Sequence, residues 1–185
     1  GGARTALFNF LFAKKNEGSF VLRIEDTDQA RSKEEFEKDI INGLEWLGII
    51  WNEGPKKDGG EKGEYGPYRQ SQRKDIYQGY IEKLLNENKA YCCFCTEEEL
   101  EALRQYQEGR GEAPKYNRKC SSLSKEEIAK NISENKNFVI RLRVPEKTIK
   151  FKDIIRKEVE FNSEEIGDMV IAKNISTPLY NLAVV

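Results

Sequence analysis

Phe20-Val21-Leu22-Arg23-Ile24-Glu25-Asp26-Thr27-Asp28 is the stretch on which the fold turns, because a period-2 apolar run feeds directly into three carboxylates. Phe20, Leu22 and Ile24 fall on one face of a strand, and Val21, Arg23 and Glu25 on the other, so Glu25 sits where the strand leaves the core. In an open parallel sheet, ligands bind at the carboxyl ends of the strands, which makes this tip a candidate binding edge. The plain alternative is a polar turn that leads into a helix.

The flanks build an α/β unit around it. Upstream, Gly1 and Gly2 open a helix predicted over residues 3–15, whose Leu7, Phe8, Phe10, Leu11 and Phe12 cover one broad face and which Asn16 and Gly18 stop. Free N–H groups at such a glycine-lined helix mouth favour an anionic ligand, unless the glycine pair is only a flexible end. Downstream, Ser32 with Glu35 makes a capping-box pattern for a helix carrying Phe36, Ile40, Leu44 and Leu47, ended by Gly48. Residues 52–68 hold seven glycines or prolines and read as a surface loop, after which Ser71 starts a helix with Ile76, Tyr80, Ile81, Leu84 and Leu85. From Ala90 the character changes. A short cysteine-rich strand is followed by helices capped by Thr96 with Glu99 and by Ser124 with Glu127. Then come a strand alternating Phe138, Ile140, Leu142 and Val144, a strand pair over residues 149–161 and an apolar strand over 169–172.

Composition removes several classes. A hydrophobic content of 38% is enough for a real core, and no stretch approaches the ~18 consecutive apolar residues of a membrane helix. The first residues have no signal-peptide order, so a cytoplasmic protein is expected. Lys and Arg number 31 against 32 Asp and Glu, which leaves any nucleic-acid surface to a local patch. There is no histidine, so a histidine-based triad or a histidine-ligated metal is excluded in this sequence. Cys92, Cys93, Cys95 and Cys120 are confined to residues 92–120, which suggests local metal binding more than a disulfide framework.

Four blocks in order carry a resemblance: Gly1-Gly2-Ala3-Arg4-Thr5-Ala6-Leu7-Phe8-Asn9, Leu22-Arg23-Ile24-Glu25-Asp26-Thr27-Asp28, Gly66-Pro67-Tyr68-Arg69-Gln70-Ser71-Gln72-Arg73 and Thr177-Pro178-Leu179-Tyr180-Asn181. With them the whole chain resembles the central part of the catalytic domain of bacterial glutamyl-tRNA synthetases, a class I aminoacyl-tRNA synthetase family. The resemblance implies an α/β, Rossmann-like catalytic domain over residues 1–84. It also implies an inserted α+β acceptor-stem-binding subdomain over 85–165 and a return to the catalytic domain over 166–185. It implies ATP-dependent activation of L-glutamate to glutamyl-adenylate, with Mg2+ accompanying the ATP, and transfer to the 3′ end of tRNA(Glu) by a monomeric enzyme. Gly1 and Gly2 match the second half of the family's ATP-binding signature. The residues before it, and the downstream loop that stabilises the phosphates, fall outside the sequence, so a fragment inactive on its own is expected. By the family pattern Glu25 pairs with the ammonium group of glutamate and Tyr180 lines the same pocket. Thr27 and Asp28 lie near the terminal adenosine of the tRNA, and no residue serves as a catalytic acid, base or nucleophile. Lys157 stands where a glycine is usual after an arginine, and Ile175-Ser176 replaces a typical Asp-Gly turn.

Cys93, Cys95 and Cys120 offer three thiolates toward a structural Zn2+, which takes four ligands. Zinc-bearing relatives imply Tyr116, four residues before Cys120, as the fourth. Cys92 competes by proximity, yet adjacent residues of a strand point to opposite faces. Reduced thiols in a small core are the alternative. The inserted subdomain carries Arg104, Arg110, Lys115, Arg118, Lys119, Arg141 and Arg143 beside Glu97, Glu98, Glu99 and Glu101, so a phosphate path competes with a solvated charged face. Arg141 and Arg31 are the two expected on the RNA path. Two other readings remain: a shorter paralogue that modifies the anticodon loop of an aspartate tRNA, and a non-catalytic zinc- and RNA-binding module. The paralogue tends to read Asp-Leu-Asp followed by prolines where this chain has Asp26-Thr27-Asp28-Gln29-Ala30-Arg31.

Overall fold

The computed structural model describes residues 2–26 and 33–185, so Gly1, Thr27, Asp28, Arg31 and Ser32 lie outside the described residues. Two compact units divide the chain, Gly1–Lys74 and Asp75–Val185.

In the first unit, α1 (Gly2–Lys15) and α2 (Glu34–Trp46) share an apolar cluster in which Ile41, Leu44, Ile49 and Trp51 are buried and Ala6, Phe10, Phe20 and Leu22 pack against them. Phe10 and Phe20 meet edge to face at 5.8 Å. Of the broad apolar face read on α1, Phe10 reaches this cluster beside Ala6, whereas Leu7, Phe8, Leu11 and Phe12 are exposed. The first turn of α2 carries Glu34, Glu35 and Glu37, which suits the positive end of the helix dipole, and its N-cap is Lys33 with no side-chain cap bond.

The segment from Phe20 alternates between half-buried and exposed residues as far as Asp26, as its period-2 pattern predicts. It forms no continuous strand, however. Its first half pairs in parallel at Val21 with Glu53, and its second half in parallel at Ile24 with Arg69. Each partner meets a different half, so two isolated bridges replace a ladder. The bonds are good ones: Leu22 N–H to Glu53 O at 2.8 Å, Ile24 N–H to Tyr68 O at 2.8 Å, and Gln70 N–H to Ile24 O at 3.0 Å. Gly54 makes the first pairing possible, since with φ at 146° a Cβ there would lie 2.6 Å from the Leu22 carbonyl oxygen. Gly54 belongs to β1 (Gly54–Pro55), which forms a ribbon with β2 (Glu61–Lys62) in the glycine-rich loop. Ser71 does not open the next helix. It sits in a 3-10 turn, Gln70–Gln72, and α3 (Lys74–Asn86) begins later because the Ser71 N–H and hydroxyl both donate to Asp26.

The second unit is built on an antiparallel sheet in the order β3 (Ala90–Cys93), β4 (Val139–Leu142), β7 (Val170–Asn174), β8 (Thr177–Pro178). Ile81 of α3 packs with Ala90, Ile140, Ile171 and Ala172 in its core. The helices α4 (Glu97–Gly109) and α5 (Lys125–Ser133) lie between β3 and β4 in the chain, and both start on complete capping boxes, at Thr96 with Glu99 and at Ser124 with Glu127, as read. The expected strand pair is the hairpin of β5 (Thr148–Asp153) and β6 (Lys157–Asn162), and a short α6 (Tyr180–Ala183) follows β8. Asn174 makes the tight turn before β8 by accepting the Ser176 N–H at 3.0 Å, which accounts for Ile175-Ser176 in place of Asp-Gly. Lys157 adopts φ of 70°, the left-handed region that a side chain resists. Lys157→Gly is therefore expected to raise stability by about 0.5–1 kcal/mol, read as a higher urea midpoint at unchanged slope.

Candidate functional site

The strand tip is held by the segment that pairs with it. Glu25 Oε1 accepts from Arg23 Nε at 2.8 Å and from Gln70 Nε2 at 2.9 Å, while Glu25 Oε2 has no partner among the described residues. The Glu25 side chain is 30% exposed and Gln70 only 1%. Asp26, on the inner face, accepts from Ser71 N–H at 2.8 Å and from Ser71 Oγ at 2.6 Å. Arg69, between them, pairs with Glu37 of α2 and lies 3.6 Å from Glu61 of β2. One carboxylate oxygen of Glu25 is thus tethered by two donors.

Gln70 stood in the third sequence block with no role assigned and Ser71 only as a helix start, and their approach across 45 residues reveals what they hold. Gly2 opens a helix with no acidic residue in its first turn, which suits an anion. Tyr180 begins α6 in the second unit, 59% exposed, behind a Leu179 N–H bond to Ile171 O of 2.8 Å.

Three of the four cysteines come together, an arrangement compatible with the metal reading. Cys93, Cys95 and Cys120 place their sulfurs within 4.8 Å of one another, with Cys95 and Cys120 at 3.6 Å. Tyr116 Oη lies 3.3 Å from Cys93 Sγ and 3.6 Å from Cys95 Sγ, and accepts the Cys120 N–H at 3.0 Å. A tetrahedron with Zn–S of about 2.3 Å and Zn–O of about 2.0 Å has edges of roughly 3.8 and 3.5 Å, and the separations of 3.3, 3.6 and 3.6 Å lie close to them. Cys92 pairs with Ile140, and the register puts it on the face opposite Cys93. Burial pushes the Cys95 thiol up to about 12. Cys93 is buried too, yet it is lowered by hydrogen bonds from Tyr116 and Arg141, while burial raises Tyr116. A metal bound here would displace protons.

The basic residues are placed differently from the expectation of a phosphate path. Arg141 is only 7% exposed, its guanidinium carbon stacks 3.9 Å over the Tyr116 ring, and Nη1 donates to Asp168 O at 2.9 Å. That leaves it no surface to present to RNA, because β4 is an inner strand of the sheet. Arg104, Arg110, Arg118 and Lys119 are each paired with a nearby carboxylate, and Arg143 is bonded to Asn88 and Ser121. Arg31 lies outside the described residues. No helix among the described residues is long and apolar enough to cross a membrane.

A mixed α/β chain with a carboxylate at a parallel strand tip and a cysteine-rich antiparallel unit belongs to the class I tRNA synthetases (E and Q), catalytic domain, the family whose model matches residues 1–185. Within that family its similarity is to glutamate–tRNA ligases. It is 53% identical over 185 residues to that of Bacillus subtilis and 50% identical over 186 residues to that of Natranaerobius thermophilus, in each case over 100% of this chain and 38% or 37% of the relative. Among solved structures, a glutamate tRNA ligase from Elizabethkingia meningosepticum in complex with its amino acid superposes with a TM-score of 0.87. The identity is 42%, and the match covers 100% of this chain and 38% of that one. The chain therefore spans well under half the length of the relatives it matches, and the Rossmann-like fold class read from the sequence holds.

Proposed function

We propose that this chain is the glutamate-recognising part of a monomeric cytoplasmic glutamate–tRNA ligase, with L-glutamate, ATP with Mg2+ and tRNA(Glu) as its substrates. The observation that carries the reading is the match to glutamate–tRNA ligases along the entire chain. Glu25, tethered by Gln70 and Arg23, turns its other oxygen to the substrate ammonium group. The pair is a charge-assisted hydrogen bond that fixes the amino acid's orientation. An α-carboxylate oxygen of glutamate then attacks the α-phosphorus of ATP, and pyrophosphate leaves. In the second step a terminal ribose hydroxyl of the tRNA attacks the acyl carbon, and AMP leaves. Neither nucleophilic side chain nor base is required for the first step, because the attacking carboxylate is already ionised, so positioning supplies the rate.

Gly2 at the mouth of α1, preceded in the sequence by Gly1, fits the triphosphate, and the family pattern assigns Tyr180 to the amino-acid substrate. Thr27, Asp28 and Arg31 attend the tRNA end, and residues 85–165 are the acceptor-stem-binding insertion. Cys93, Cys95, Tyr116 and Cys120 would hold a structural zinc, whose contribution would be a cross-link and no part in the chemistry.

The test is glutamate- and tRNA(Glu)-dependent consumption of ATP by the full-length protein, with glutamine and aspartate as controls. In the same assay Gln70→Ala frees the Glu25 carboxylate to swing, and is expected to raise the KM for glutamate about 10-fold at an unchanged KM for ATP. A loss of thermal stability with no change in that KM would make Gln70 a packing residue only, and absence of glutamate-dependent turnover in the parent protein would remove the functional reading.

A further inference from the structure

Arg141 poses a problem that its neighbours answer. It lies on β4, an inner strand of the sheet, and is 7% exposed. A guanidinium keeps its charge in any protein environment, so burying it is costly unless an anion compensates. Among the described residues no carboxylate forms an ion pair with it. The buried carboxylate of Asp168 is committed to Tyr91 Oη at 2.7 Å, Arg118 Nη2 at 3.1 Å and Val144 N–H at 2.9 Å. Arg141 receives from that residue only the backbone carbonyl, and its Nε–H has no partner among the described residues.

What faces Arg141 is the cysteine cluster. In the β3–β4 register Tyr91 pairs with Arg141 and Cys93 with Val139, so Cys93 is the diagonal neighbour of Arg141 on the same face of the sheet. The guanidinium carbon lies 3.9 Å from the centroid of the Tyr116 ring, whose oxygen completes the four-atom set. Three thiolates and a phenolate around a divalent ion leave that centre anionic, and it sits among residues buried as deeply as Cys93 at 1% and Cys120 at 6%.

We propose that Arg141 is the counter-cation of a zinc centre formed by Cys93, Cys95, Tyr116 and Cys120, balancing its charge and holding the Tyr116 ring in ligating position. The proposal rests on the metal reading of the cluster and gives a different role to a residue that the sequence placed on an RNA path. The planar fork of arginine suits both tasks, with one edge on the Asp168 carbonyl and one face on the ring.

The experiment uses the full-length protein and Zn2+ as the probe. It measures zinc per chain after dialysis, affinity by competition with a chromophoric chelator, and the half-time of release into excess EDTA. Arg141→Met is expected to weaken zinc binding about 10- to 100-fold and to shorten the release time, the range typical of losing a group that supports metal ligands. Arg141→Lys, which keeps the charge without the plane, recovers most of the loss. In a Cys120→His background, where the centre carries less negative charge, Arg141→Met costs clearly less than in the parent. Circular dichroism of the metal-free proteins separates binding from folding; should Arg141→Met fail to fold, the Arg141→Lys result decides. Parent-like affinity and release in Arg141→Met, or an Arg141→Lys loss of 10-fold or more, overturns the counter-cation role while leaving the metal centre in place. A parent protein that takes up no zinc overturns both.

Discussion

Replacing Glu25 with alanine in the full-length protein is expected to raise the KM for glutamate about 100-fold, which corresponds to roughly 2.7 kcal/mol at about 1.4 kcal/mol per factor of ten. The magnitude comes from losing a charge-assisted hydrogen bond, worth about 1.5–3 kcal/mol, and from leaving an ammonium group without its anion. The KM for ATP should change little. The effect should fall on binding more than on turnover, because the α-carboxylate attacks without giving up a proton and Glu25 has none to remove. Glu25→Gln sharpens the reading. It preserves an oxygen for the Gln70 and Arg23 donors but removes the charge, so it should lose most of what alanine loses. Steady-state kinetics with glutamate varied at saturating ATP and tRNA decides the matter, and a glutamate KM within twofold of the parent would take Glu25 out of the amino-acid site.

Disrupting the sulfur cluster should have the other large effect, this time on stability. Cys93 is 1% exposed and shares its small apolar cluster with Tyr91 and Cys120, with Cys95, Tyr116, Leu123 and Val139 packed against it. That cluster is separate from the core of Ile81, Ala90, Ile140, Ile171 and Ala172. Cys93→Ser, or prolonged chelation, is therefore expected to lower zinc from about one per chain to below about 0.1 and to cost at least about 3 kcal/mol, since a structural metal's binding energy is folding energy. The loss should be local. Amide exchange should accelerate in α4, α5 and the segment joining them, while β4 and β7 stay protected by their own core. Metal analysis combined with hydrogen exchange reads both parts, and a parent protein that is metal-free and equally protected in that region would show that packed thiols suffice.

Much of the architecture was legible in local pattern. The alternation from Phe20 to Asp26, the capping boxes at Thr96 and Ser124, and the hairpin of β5 and β6 each depend on residues within a few positions of one another, and each appears as read. So does the separation of Cys92 from Cys93, because strand periodicity alone sends neighbours to opposite faces. Local pattern misjudged Ser71, whose hydroxyl could cap a helix or bind a carboxylate with equal chemistry. It also read a strand at residues 20–25 where the partner changes midway and only two bridges form.

The sequence by itself determined the α/β class, the carboxylate at the end of the alternating segment and the identity of the three thiols, since these follow from residue type and short-range spacing. Tertiary structure alone decided how they are used. Gln70 reaches Glu25 across 45 positions, Tyr116 reaches Cys93 across 23, and Arg141 lies under the Tyr116 ring instead of at the surface. The physical reason is one of range: periodicity tells which face a side chain takes, but whether a charged group meets water, a phosphate or a buried cluster depends on chain segments that only packing brings together.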